Sequence, residues 1–111
     1  MIRKAASPRA GKVLVTFEIP ASLWATQVHL IGDFNKWDWT AHPLTQRRSD
    51  SAWVITLELD AGQAYQFRYL SDGQRWCNDC QADGYAPNPY GGDNSVVVAS
   101  LPPTDDASDE Q

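Results

Sequence analysis

The sequence predicts an all-β protein built as a sandwich of two sheets, and three observations lead to this fold class. Apolar and polar residues alternate with a period of two along several short stretches, as they do in half-buried strands. Turn-forming residues separate these stretches at short intervals, which is typical of a β-sandwich. No window carries the period of a long amphipathic helix. A chain of 111 residues has room for one such domain.

Six strands are predicted in order along the chain. The first reads KVLVTFEI, with its apolar residues on one face, and Pro20 ends it. The third reads AWVITLEL and places Trp53 on its apolar face, in the core. The fifth follows the hairpin signal Asp72-Gly73. The predicted ranges are 12–19, 27–32, 52–59, 64–71, 74–78 and 95–100.

Both ends of the chain are predicted to lie outside the folded domain. Residues 1–11 indicate a flexible leader, because a serine, a proline and a glycine interrupt any regular element. Residues 101–111, LPPTDDASDEQ, are acidic and poor in apolar side chains, which predicts a disordered tail. The folded domain is therefore expected at 12–100.

The charge balance excludes some classes of partner. The formal net charge is −5, so the domain does not attract the phosphate backbone of nucleic acids, and a neutral ligand suits it better. The basic first residues are not followed by the apolar segment of a signal peptide, and no apolar run is long enough to cross a membrane. A cytoplasmic location without membrane contact is the expectation.

Residues for catalysis or metal binding form no recognisable pattern. Cys77 and Cys80 have the Cys-x-x-Cys spacing of a thiol oxidoreductase, but they follow a hairpin instead of opening the helix that would lower a thiol pKa. His29 and His42 are the histidines available to join them in a zinc site, and neither is in a typical ligand position. No pair of carboxylates is marked as the acid and base of a glycosidase. We expect neither an enzymatic activity nor a metal or other cofactor.

Two long loops are rich in aromatic residues. The first, GDFNKWDWTAHP, contains Trp37 and Trp39, and the second, DCQADGYAPNPYGGDN, contains two tyrosines. Exposed rings in loops cost solubility unless they are packed or used for binding. Five tryptophans exceed what a small sandwich core needs, so some are expected at a binding surface. Trp39 is assigned to the packing of its own loop, and Gly32-Asp33 to the turn that opens this loop.

Three segments taken together resemble a known family. They are VHLIGDFNKWD, YQFRYLSDGQRW and NPYGGDNSVVV, in that order. In them the chain is similar to the family-48 carbohydrate-binding modules, the early-set domains of the isoamylase N-terminal type, which include the glycogen-binding domain of the AMP-activated protein kinase beta subunit. The similarity covers about residues 12–99. It implies an immunoglobulin-like, early-set β-sandwich that binds α-1,4-glucan such as glycogen or starch without a reaction.

The resemblance also implies a carbohydrate-binding site. Its members would be two tryptophans, a basic residue, an asparagine and a fifth residue that is apolar in the kinase domain. In this chain they are Trp37, Arg68, Trp76, Tyr90 and Asn94. The chemistry of these side chains agrees, because an aromatic ring can stack on the apolar face of glucose while arginine and asparagine hydrogen-bond the hydroxyl groups. Arg75 is an extra residue before the second tryptophan.

The direction of the Trp76 side chain depends on the length of the hairpin loop before it. A two-residue loop would turn the ring towards the core, opposite Tyr69. A three-residue loop of residues 71–73, with glycine at its last position, would pair Trp76 with Arg68 and turn it outward. We expect an odd-length loop and an outward Trp76, because a further ring opposite Tyr69 would crowd the core.

Two functions remain open from the sequence. In the first, the domain binds an α-glucan polysaccharide or oligosaccharide, beside a glucan-active enzyme or a regulatory protein. In the second, an early-set module without sugar binding docks onto a partner enzyme or a kinase-like protein. The fold alone cannot separate them, because function depends on the site.

Overall fold

The computed structural model describes residues 2–20, 25–79, 81–89 and 91–100. Over these ranges the chain forms β-strands and a short 3-10 helix, Asp33–Asn35, after the third strand. No helix among the described residues has the length and apolar composition that crossing a membrane requires. The strands are β1 (Ile2–Ala6), β2 (Lys12–Ile19), β3 (Val28–Gly32), β4 (Thr45–Gln46), β5 (Trp53–Asp60), β6 (Ala64–Ser71), β7 (Arg75–Cys77), β8 (Gly84–Pro87) and β9 (Asp93–Val98).

Two antiparallel sheets form an immunoglobulin-like β-sandwich, which is the predicted fold class. The first sheet has the strand order β1-β2-β5-β4, and the second has the order β3-β6-β9-β8. Phe67 of β6 pairs with Gly32 of β3 and with Ser95 of β9, so β3 and β9 lie on opposite sides of β6. β7 pairs with the last residues of β6. It therefore lies on the β9 side, since β3 occupies the other.

The core forms where the inner faces of the sheets meet. Burial alternates along β2 as its sequence predicts, with every second residue buried. Trp53 is buried in the core, in agreement with its prediction. The rings of Phe17 in β2 and Phe67 in β6 join the two sheets, with centroids 5.1 Å apart in an edge-to-face arrangement.

Residues 2–6 correct the expectation of a leader without regular structure. They form β1, which pairs with β2 from Ile2 opposite Phe17 to Ala6 opposite Val13. Arg3 and Lys4 form ion pairs with acidic side chains elsewhere in the chain. With these charged residues, the sequence of β1 lacks the apolar alternation by which strands were predicted. An edge strand does not need this alternation. The predicted tail, 101–111, lies outside the described residues and stays a prediction.

Two further strands were not predicted. β4 is only two residues long, and β8 lies inside the segment predicted as a long loop. β8 pairs with β9 from Gly84 opposite Val96 to Pro87 opposite Asp93. Glycine and proline are rare in strands, which explains why the sequence of β8 indicates a loop.

Candidate functional site

An open cleft of about 620 Å³ lies on the outer face of the second sheet. It brings together four of the five predicted site residues, Trp37, Arg68, Trp76 and Asn94. The fifth, Tyr90, lies outside the described residues. The residues that line the cleft are Asp33, Trp37, Trp39, Gln66, Arg68, Trp76, Asn88, Pro89 and Asn94.

The loop after β3 supplies one wall of the cleft, and Asn35 holds the loop in shape. The Asn35 side chain accepts a hydrogen bond from Gly32 N (3.1 Å) and donates one to Leu30 O (2.9 Å). It also hydrogen-bonds His42 Nδ1 at 2.8 Å, at the far end of the loop. A single amide therefore joins both ends of the loop to the strand that precedes it.

Trp37 is fixed by the carboxylate of Asp33. Lys36 and Trp37 both adopt the left-handed conformation, with φ of 57° and 58°. Asp33 Oδ1 accepts the indole N–H of Trp37 at 2.9 Å, and Asp33 Oδ2 accepts the backbone N–H of Gln66 in β6 at 2.7 Å. Asp33 thus does more than form the predicted turn, because it ties the indole to the sheet.

Trp76 follows a three-residue loop, 72–74, instead of the predicted loop of residues 71–73. Ser71 remains in β6 because it pairs with Val28 of β3, and this pairing moves the turn by one residue. The loop length is odd, as expected, and Trp76 lies opposite Leu70. Residues opposite each other in antiparallel strands share a face. Trp76 therefore points outward on the Arg68 face, which confirms the predicted direction.

Arg68 lines the cleft beside Trp76. Its guanidinium carbon is 5.8 Å from the centroid of the Trp76 ring, within the range of a cation–π contact. Its Nε is buried and has no hydrogen-bond partner among the described residues. Buried donors normally have a partner, so this Nε is an exception among the described side chains.

Asn94 belongs to a row of three side-chain amides that line the cleft. Its Nδ2 donates to Gln66 Oε1 at 3.0 Å, and its Oδ1 accepts from Asn88 Nδ2 at 3.3 Å. Asn94 is almost fully buried. The row fixes the orientation of all three amides and gives the cleft a polar edge.

Trp39 was missed as a cleft residue, and its assignment to loop packing is wrong. Its side chain is 57% exposed, and its ring lies edge-to-face against Trp76 with centroids 5.2 Å apart. Asp38 Oδ1 accepts hydrogen bonds from the N–H and the hydroxyl of Thr40, so Trp39 lies inside a local turn of the loop. The excess of tryptophans was the only signal in the sequence.

Redox chemistry would depend on the thiols, and metal binding on clusters of histidine, cysteine and acidic side chains. Cys77 is half-buried on β7, and burial raises the pKa of its thiol, whereas a redox thiol needs a lowered pKa. Cys80 lies outside the described residues. No group of three or more histidine, cysteine or acidic side chains comes together as a metal site in the described part of the chain.

Fold and cleft together define a small β-sandwich with a surface of aromatic and amide side chains. A family model for carbohydrate-binding module 48, the isoamylase N-terminal domain, matches residues 15–86, well over half of the chain. The chain belongs to this family of carbohydrate-binding modules.

Curated relatives include several enzymes named 1,4-alpha-glucan branching enzyme GlgB. The chain is 31% identical to that of Mesorhizobium japonicum over 88 residues, which is 78% of this chain and 12% of the enzyme. It is 31% identical to that of Photobacterium profundum over 98 residues, which is 86% of this chain and 13% of the enzyme. The chain therefore matches a small part of the length of these relatives.

Proposed function

We propose that the chain binds α-1,4-glucan, such as glycogen or starch, in the cleft of the second sheet and catalyses no reaction on it. One observation carries the proposal: Trp37, Arg68 and Trp76 meet on one open face, although they come from separate elements. Large apolar rings left accessible in a soluble domain are informative about binding.

The side chains of the cleft match the surface of a glucose unit. The two tryptophan rings supply flat apolar area for the C–H face of the sugar. The Arg68 guanidinium donates to hydroxyl oxygens, and the amide row that includes Asn94 offers donors and acceptors. A volume of about 620 Å³ is in the usual range for a small-ligand site. The relatives are named 1,4-alpha-glucan branching enzymes, and this name supports the same ligand class.

The cleft residues do not supply a glycosidase mechanism. Such a mechanism uses two carboxyl groups on either side of the scissile bond. Asp33 is the carboxylate among the described lining residues, and both of its oxygens accept hydrogen bonds within the protein. We therefore assign binding alone to this chain.

Electrophoresis through gels with and without glycogen tests the proposal. The wild-type chain is expected to be retarded by glycogen and not by soluble cellulose derivatives, with an affinity in the micromolar to millimolar range, about −4 to −8 kcal/mol. Trp76→Ala should abolish most of the retardation. Tyr85→Ala is the matched control, because Tyr85 is 50% exposed but does not line the cleft.

Unchanged mobility of the wild-type chain at high glycogen concentration would contradict the proposal. It would favour the alternative, an early-set module that docks onto a partner protein. Melting temperatures of all variants, measured in parallel, separate loss of binding from loss of folding.

A further inference from the structure

A second, smaller cleft adjoins the first, and Trp39 forms a wall of both. The second cleft has a volume of about 320 Å³ and lies between the loop after β3 and the β6–β7 turn. Trp39 contacts the ring of Trp76 on the side of the first cleft. Trp39 is 57% exposed and stands between the two clefts. Its indole therefore offers apolar area to a ligand that crosses from one cleft to the other.

Polar side chains with hydrogen-bonding groups line the second cleft. They include the hydroxyls of Thr26 and Thr40, the amide of Gln27 and the imidazole of His29, around buried Leu70. The Thr26 hydroxyl donates to Asp72 and the Thr40 hydroxyl donates to Asp38. Both hydroxyls therefore keep lone pairs as acceptors, which suits a ligand rich in O–H donors.

Asp72 makes the rim of this cleft rigid. Its Oδ1 accepts hydrogen bonds from Thr26 N at 2.8 Å and from Gln27 N at 2.9 Å, in addition to the Thr26 hydroxyl. These bonds fasten the β6–β7 turn to the segment that enters β3. A preformed rim lowers the ordering cost of binding.

The charges of the lining select the class of ligand. Asp72 is a carboxylate, and neither lysine nor arginine lines the second cleft among the described residues. An anionic ligand is therefore disfavoured. A neutral polyhydroxyl ligand, continuous with one already bound in the first cleft, fits both the groups and their position.

We infer that the second cleft binds further glucose units of the same α-glucan chain, which crosses Trp39 from the first cleft. This inference rests on the proposed function and extends it, because it makes the site selective for longer chains. A short oligosaccharide fills the first cleft alone, whereas a longer one reaches Gln27 and His29.

Titration calorimetry with maltotriose and maltoheptaose tests the inference. The wild-type chain should bind maltoheptaose at least about tenfold more tightly than maltotriose. Gln27→Ala should weaken maltoheptaose binding about threefold to tenfold, as for the loss of one hydrogen bond, and leave maltotriose binding unchanged. Trp39→Ala should remove the preference for the longer chain. Gln63→Ala is the matched control, because Gln63 is also exposed and lies in the β5–β6 turn.

The possible outcomes separate this inference from the proposed function. Equal affinity of the wild type for both oligosaccharides would overturn the inferred binding in the second cleft, and so would an unchanged maltoheptaose affinity of Gln27→Ala. Neither result would contradict binding in the first cleft. A wild-type chain that binds neither oligosaccharide overturns both.

Discussion

At the scale of single residues, the position of Trp37 depends on Asp33. The left-handed conformation of Lys36 and Trp37 costs about 1–2 kcal/mol per residue for side chains with a Cβ. The Asp33 carboxylate offsets part of that cost, because it holds both the indole and the backbone of Gln66. Asp33 is therefore a positioning residue for the ring that we propose to stack on glucose.

Substitution of Asp33 should weaken glucan binding through Trp37. We expect Asp33→Ala to lower the affinity about tenfold, since the indole loses its fixed orientation, and Asp33→Asn to recover part of it, since an acceptor remains. Calorimetry with β-cyclodextrin measures both. Asp93→Ala is the control, because Asp93 is an exposed carboxylate that does not line the cleft. An Asp33→Ala affinity equal to that of the control would show that Trp37 needs no such support.

The sequence predicts the positions of some cleft residues and not of others. Trp76 and Arg68 could be placed on one face, because strand periodicity and the loop length determine the faces of β6 and β7. Trp39 could not be placed, because it lies in a loop, inside the turn that Asp38 forms with Thr40. Such side-chain contacts in loops leave no periodic pattern in a sequence.

At the scale of elements, β3 and β6 approach each other closely at Gly32. A Cβ built on Gly32 would lie 2.4 Å from Gln66 O and 2.7 Å from the Cβ of Phe67. The backbone of Gly32 is extended, with φ of −174°, so the need for glycine is one of space and not of conformation. This contact sets where β3 ends and the loop with Trp37 begins.

Gly32→Ala should therefore destabilise the domain, by about 2–3 kcal/mol, because the added methyl overpacks a buried contact with backbone atoms. Gly84→Ala is the matched control in β8, since a Cβ there meets nothing within 4 Å. Chemical denaturation of both variants measures the free energies of unfolding. Equal stability of the two variants would mean that the strands move apart at little cost.

The sequence predicts the central strands well, and it also predicts the edge strand β3 to within one residue. β2, β5 and β6 combine apolar alternation with pairing on both sides, so their pattern reflects a buried face. β1 and β8 lie at sheet edges, where one neighbour suffices and polar or turn-forming residues are tolerated. The exact bounds of the β6–β7 loop were set by a third strand, β3, which the local hairpin sequence does not encode.

At the scale of the whole molecule, the two sheets carry different surfaces. The second sheet holds the clefts, and the first holds a network of charges in which Glu18 pairs with Arg3 and Arg47, and Arg47 also pairs with Asp50. The hydrogen bond from Arg47 lowers the pKa of Glu18. The same arginine lowers the pKa of Asp50 to about 2, from an ordinary value of 3.8.

These lowered pKa values predict how stability depends on pH. A carboxyl group whose pKa is lower in the folded state stabilises the fold above its unfolded pKa, and this contribution is lost as the pH falls through the folded pKa. The melting temperature should therefore fall between about pH 4.5 and pH 2. Arg47→Ala should flatten this dependence, and Arg48→Ala, its exposed neighbour, should not. If the melting temperature of both variants falls by the same amount between these pH values, other groups dominate its pH dependence.

If Trp37 and Trp76 of the first cleft bind α-glucan, the signals of their indole N–H groups should respond to the ligand. Nuclear magnetic resonance spectra of the chain titrated with β-cyclodextrin resolve each tryptophan, and buried Trp53 is an internal control within the same molecule. We expect the indole signals of Trp37 and Trp76 to shift and saturate together while the signal of Trp53 stays in place. Signals of Trp37 and Trp76 that remain unmoved at millimolar β-cyclodextrin would contradict it.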